Sequence, residues 1–217
     1  MKKALIVLFV VLVCTAALPA KTNMLNLGVS VSPYLDWPMD TYVTRDVSLS
    51  WTRLGSDTFG FYSQLNPYIA MSGKNKVSDT TWKFSDYDWM GAGLETVLGW
   101  GGDFNFGPLG LVVGGGGYVD INYFSLTYDY MFLSLGLGAG VNVYFQPGSG
   151  SFLLNAGLTA AWKPYFTYTD LTNDYNYSDF QNGRFDVTFS VGIGWRTGGG
   201  SSRSRGSGSS SGGDDDW

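Results

Sequence analysis

The chain has 217 residues, a formal net charge of −5 and only 14% charged residues, well under the roughly 25% of soluble domains. An acidic balance argues against nucleic acid as a partner, because phosphate binding is built on Lys and Arg. The one cysteine, Cys14, lies near the N-terminus and there is no histidine, which leaves no disulfide to brace a mature domain and removes the commonest general base.

Lys2 and Lys3, an unbroken apolar run over residues 4–13 and the small residue Ala20 have the order of a cleaved secretory signal peptide spanning residues 1–20. The run is short for a helix that must cross about 30 Å of hydrocarbon. Val13 stands where a lipidation signal places a small residue before Cys14. No later segment approaches 18 consecutive apolar residues, so spanning by helices is excluded.

From residue 24 to 195 the hydrophobic pattern has period two, the signature of half-buried strands. Eight strands are expected. The first sets Leu25, Leu27 and Val29 against Asn26, Gly28 and Ser30, and the second sets Val47, Leu49 and Trp51 against Asp46, Ser48 and Ser50. The third, near 59–71, opposes Phe59, Phe61, Leu65 and Ile69 to Tyr62, Gln64, Asn66 and Tyr68. In the fourth, Leu94, Leu98 and Trp100 face away from Gly93, Glu95 and Gly99. The fifth opposes Leu111, Val113 and Val119 to Gly114, Gly116, Tyr118 and Asp120, and the sixth opposes Leu133, Leu135 and Leu137 to Ser134, Gly136 and Gly138. The seventh places Leu154, Leu158, Trp162 and Phe166 opposite Asn155, Thr159 and Lys163, and the eighth places Phe185, Phe189 and Val191 opposite Arg184, Asp186 and Thr188.

The connections alternate in kind. Residues 54–58, 101–108 and 146–151 are compact and rich in Gly, Asp and Pro, whereas 36–41, 72–88, 122–129 and 169–183 are polar and mostly longer. Short turns at one end and longer loops at the other, with an even strand count, are the layout of an outer-membrane barrel. A soluble barrel shows the same alternation with its apolar face inward. Here the second face is Gly, Ser, Thr and Asn, with few of the Lys and Glu that cover a soluble surface. That face suits the cramped lumen of a small barrel. The apolar face carries Trp51, Phe59, Trp100, Phe145, Phe152 and Trp195 near the turn end, where interfacial aromatics form girdles. The expected fold is therefore all-β, an eight-stranded antiparallel up-and-down transmembrane β-barrel over residues 21–196. Beyond it, residues 197–217 are a flexible Gly/Ser-rich tail.

Over residues 24–196 this layout resembles the small bacterial outer-membrane barrels of the OmpX, OmpW and OmpA membrane-domain type. The most specific local piece is the alternating last strand, in which Phe189, Val191, Ile193 and Trp195 form an outward apolar row ending on an aromatic. In those families such a strand is the signal for the barrel-assembly machinery, and the resemblance implies that machinery and outer-membrane lipids as partners. It also implies the outer membrane of a Gram-negative-type bacterium as location.

No catalytic constellation is present. The Gly-rich runs lie inside strands with no following helix, so a phosphate-cradling loop is not formed, and they are read instead as thinning the lumen wall. Asp170, Asn173, Asp174, Asn176 and Asp179 match no calcium-loop spacing. Neither a metal nor a cofactor is expected. The informative polar residues are the inward charges Glu95, Lys163, Asp46, Asp186 and Arg184, which should pair or contact water because a lone buried ion is costly. The partner of Glu95 depends on the strand register, and Lys163 is the first inward cation to test as that partner. The expected function is non-enzymatic: a structural or surface-interaction, adhesin-like barrel whose loops meet host or other surface ligands. The alternative is a narrow pore or transporter for small or hydrophobic solutes, which the OmpW resemblance would imply.

Overall fold

The computed structural model describes residues 20–31, 45–56, 58–74, 81–83, 91–125, 129–180 and 185–197. Apart from Ala20, the expected signal peptide lies outside these residues, and so does the tail from residue 198.

Ten strands follow in chain order: β1 (Thr22–Val31), β2 (Arg45–Leu54), β3 (Phe59–Lys74), β4 (Thr81–Lys83), β5 (Gly91–Phe106), β6 (Leu109–Ser125), β7 (Asp129–Phe145), β8 (Phe152–Asp170), β9 (Tyr175–Phe180) and β10 (Phe185–Arg196). Eight of them form the barrel wall, each pairing antiparallel with the next in the order β1-β2-β3-β5-β6-β7-β8-β10. Closure comes from β10, which pairs along its length with both β1 and β8, from Thr22 opposite Arg196 to Val31 opposite Val187 on the first side. No wall strand is left with a free edge, and a sheet in hydrocarbon requires this because each unpaired N–H or C=O costs several kcal/mol. β4 and β9 extend the long-loop end as ribbons on β3 and β8.

The faces follow the alternation. Leu27, Leu137 and Phe189 are 60–62% exposed on the outside, while Asn26, Gly138 and Thr188 beside them are buried inside. Apolar residues thus face outward and small or polar ones inward, the reverse of a soluble barrel and the arrangement a bilayer imposes. At the turn end the outside carries Phe59, Trp100, Phe145, Phe152 and Trp195, joined by Phe104 and Phe106. Phe59 and Trp100 stack with centroids 6.1 Å apart. The last two phenylalanines correct the reading of 101–108 as a turn. β5 and β6 pair as far as Phe106 opposite Leu109, and only Gly107 and Pro108 turn, with Gly107 at a φ of 80° that favours glycine.

A second correction concerns β8. Leu135 pairs with Tyr165 but Leu137 pairs with Trp162, so Lys163 and Pro164 together oppose Gly136. Proline cannot donate to the ladder, and a bulge accommodates it. The extra residue reverses the parity of the strand beyond it: Lys163 points inward, and so does Phe166, which is fully buried and not on the outer face as alternation alone places it. The segment 169–183 is likewise not all loop. β9 returns beside β8, and Tyr168 contacts the rings of Tyr175 and Tyr177. In the intervening turn, the Asp170 carboxylate accepts from the Thr172 and Asn173 N–H groups and from the Asn173 side chain. The Asn173 side-chain bond is the main cause that holds the Asp170 carboxyl below its usual range.

The lumen is packed. Met24, Leu54, Tyr62, Val97, Val112, Tyr118, Tyr144, Leu153 and Ala161 form a buried cluster inside the wall. Inward glycines make room for its tyrosine rings: a Cβ on Gly114 would lie 2.2 Å from Tyr62, and one on Gly110 would lie 2.1 Å from Tyr144.

Candidate functional site

Alternation along four strands turns Glu95 (β5), Asp120 (β6), Lys163 (β8) and Asp186 (β10) into the half of the lumen nearer the long loops. All four are at most 5% exposed. Glu95 and Asp120 are directly opposed across the β5–β6 pair. One carboxylate oxygen each of Glu95, Asp120 and Asp186 lies within 4.8 Å of the other two. The Lys163 ammonium is 3.0 Å from Asp120 Oδ2 and also contacts Asp186 Oδ2. It sits 5.3 Å from the centre of the Tyr118 ring, whose hydroxyl donates to Asp186. Tyr68 donates to Asp120 Oδ1 at 3.0 Å and the Asn122 amide donates to Asp120 Oδ2 at 3.2 Å.

Glu95 and Lys163, the pair expected from the sequence, belong to this one cluster. Lys163 reaches across to Asp120 and Asp186, and Glu95 accepts from the Asn66 amide at 3.4 Å. Asp120, which the alternation placed inward, was not singled out among the charges because nothing local distinguishes it from a strand-end aspartate. Its Tyr118 neighbour two residues earlier on the same face was the available signal. Arg184 and the side chain of Asp46 lie outside the described residues.

A second network lies at the turn end of the lumen. Arg196 at the end of β10 pairs with Asp103, whose side chain is fully buried. Tyr144 donates to Asp103 Oδ1 at 2.7 Å and Thr22 donates to Asp103 Oδ2 at 3.2 Å. The Arg196 guanidinium lies 4.8 Å from the centre of the Tyr144 ring. Reading 101–108 as a turn hid Asp103, since a turn aspartate is ordinarily solvated. Between the two networks runs a neutral layer: Tyr62 donates to Gln64, which donates to Ser50 and Thr159, and Asn26 donates to Asn142 and Ser190. The row Phe189, Val191, Ile193 and Trp195 lies on the outer surface of β10, 39–65% exposed.

The arrangement gathers buried charge in two places in the lumen. A closed antiparallel barrel of eight strands, with an apolar belt, an aromatic ring at its turn end and a polar packed lumen, defines the class: a small outer-membrane β-barrel. Among similar solved structures, the first of the following agrees in fold. Neisserial surface protein A is 11% identical with a TM-score of 0.51, covering 81% of this chain and 96% of that one. Ail, the attachment invasion locus protein of Yersinia pestis, is 13% identical with a TM-score of 0.45, covering 82% of this chain and 99% of that one. The outer membrane protease OmpT of Escherichia coli is 9% identical with a TM-score of 0.33, over 81% and 96% of the two chains. No family model matches the chain, and no curated protein matches it in sequence.

Proposed function

We propose that the protein is a non-enzymatic outer-membrane barrel of structural and surface-interaction type, a plugged scaffold that presents its long-loop end to the outside. The observation that carries this reading is the filling of the lumen along its length. The Asp103/Arg196 network blocks one mouth, the tyrosine and aliphatic cluster fills the middle, and the Glu95/Asp120/Asp186/Lys163 network occupies the other half. An eight-stranded barrel has an interior just wide enough for its own side chains, and here they take it. The absence of histidine from the chain supports a non-catalytic role. At the outer end, the β8–β9 ribbon carries the exposed rings of Tyr175 and Phe180 beyond the wall. Aromatic side chains of this kind serve binding surfaces well, since they bring large contact area at little entropic cost.

Single-channel recording of the purified barrel in planar bilayers tests the reading. The expected trace shows no sustained openings. Steady, cation-selective conductance from the wild-type chain refutes the plug and puts passage of small solutes through the lumen in its place.

A further inference from the structure

Three carboxylates and one ammonium make up the charged group in the outer half of the lumen among the described residues. That leaves two negative charges uncompensated in a space closed to bulk water, an arrangement that costs several kcal/mol per ion unless something neutralises it. Polar oxygens beside the group are left without partners as well. Ser134, which is 1% exposed and directly opposite Asp120 across the β6–β7 pair, has a hydroxyl oxygen with no partner. Asn122 is 8% exposed and gives its amide N–H to Asp120, yet its own Oδ1 has no partner. Buried oxygens without partners beside an excess of carboxylates suit a cation.

We infer that Glu95, Asp120 and Asp186, with Asn122 Oδ1 and Ser134 Oγ, form an intraluminal binding site for one divalent cation of calcium size, with Lys163 as the built-in counter-ion that shares it. The geometry matches. Two oxygens on one Ca²⁺ at about 2.4 Å are at most about 4.8 Å apart, and one oxygen from each of the three carboxylates lies within 4.8 Å of the other two. All five donors are oxygens, the ligand type of a hard cation. One divalent ion with the lysine ammonium brings the group to neutrality. The site goes beyond the plug: it makes the rigidity of the outer half of the barrel depend on divalent cations, whichever role the loops serve.

The test uses the full chain, purified from membranes in detergent and dialysed against about 1 mM CaCl₂, the range of extracellular calcium modules. Elemental analysis after gel filtration should find one calcium per chain, and EDTA should lower the temperature at which the barrel loses its fast gel mobility. Tb³⁺ emission should be sensitised by the adjacent tyrosines and displaced by Ca²⁺. Glu95→Gln and Asp120→Asn should lose the bound calcium. Should either fail to fold, Ser134→Ala removes only an unpartnered hydroxyl, and it should fold normally while binding calcium about tenfold more weakly. Lys163→Met should fold in calcium and lose its heat resistance in EDTA. Wild-type barrel that carries no metal and melts identically in calcium and EDTA overturns the site. So does calcium retained equally by wild type, Glu95→Gln and Ser134→Ala, which would place the ion in the loops.

Discussion

Replacing Gly114 by alanine tests whether the lumen is a packed core. An ideal Cβ at this position lies 2.2 Å from both Cγ and Cδ2 of Tyr62. Cγ is the root of the ring, so rotation about the ring axis cannot relieve the clash and the whole side chain must move. Tyr62 is fully buried, and its hydroxyl is tied to Gln64 at 2.8 Å, which in turn bonds Ser50 and Thr159. Moving the ring therefore breaks a hydrogen bond worth about 1 kcal/mol, in addition to overpacking of roughly 1–3 kcal/mol. The expected loss is about 2–4 kcal/mol, read from urea unfolding in phospholipid vesicles by tryptophan fluorescence. Gly117→Ala is the control, because its nearest neighbour would be 3.9 Å away on the outer face; it should stay within about 0.5 kcal/mol of wild type. In a Tyr62→Ala background, Gly114→Ala should become nearly neutral, giving a coupling above about 1 kcal/mol. Additive effects, or a near-neutral single Gly114→Ala, would refute the packing argument.

Leu137, at the centre of β7 and 60% exposed on the outer face, should cost about 2–4 kcal/mol when changed to Lys, because the ammonium then sits near the bilayer midplane; equal stability of this variant in vesicles would reverse the faces. Arg196→Gln leaves Asp103 buried without its ion partner and should cost about 3 kcal/mol, the lower end for a broken buried pair because the Arg196 side chain keeps 14% exposure. A double change with Asp103→Asn should recover part of that loss in the same unfolding assay.

The eight wall strands and the assignment of their faces were legible in the chain because alternation is a local property, whereas β4 and β9 were read as loop. Each residue's side follows from its neighbour's, whatever the partner strand. That local rule placed Glu95, Lys163 and Asp186 in the lumen, and it placed Asp120 there too. It failed for Phe166, since one inserted residue at Lys163 and Pro164 reverses every side chain beyond it. Proline marked the place, but only pairing with β7 shows on which residue the parity turns.

Which charges meet was decided by tertiary structure alone. Lys163 and Asp120 are 43 residues apart, and Arg196 and Asp103 are 93 apart. Their contact depends on the stagger of every intervening strand pair and on the closure of β10 onto β1. Turn lengths leave that stagger open by several residues, and a shift of two keeps every residue on its face while changing every partner across the lumen. The chain's local chemistry therefore settled what lines the barrel, and the closed hydrogen-bond register settled what each lining residue touches.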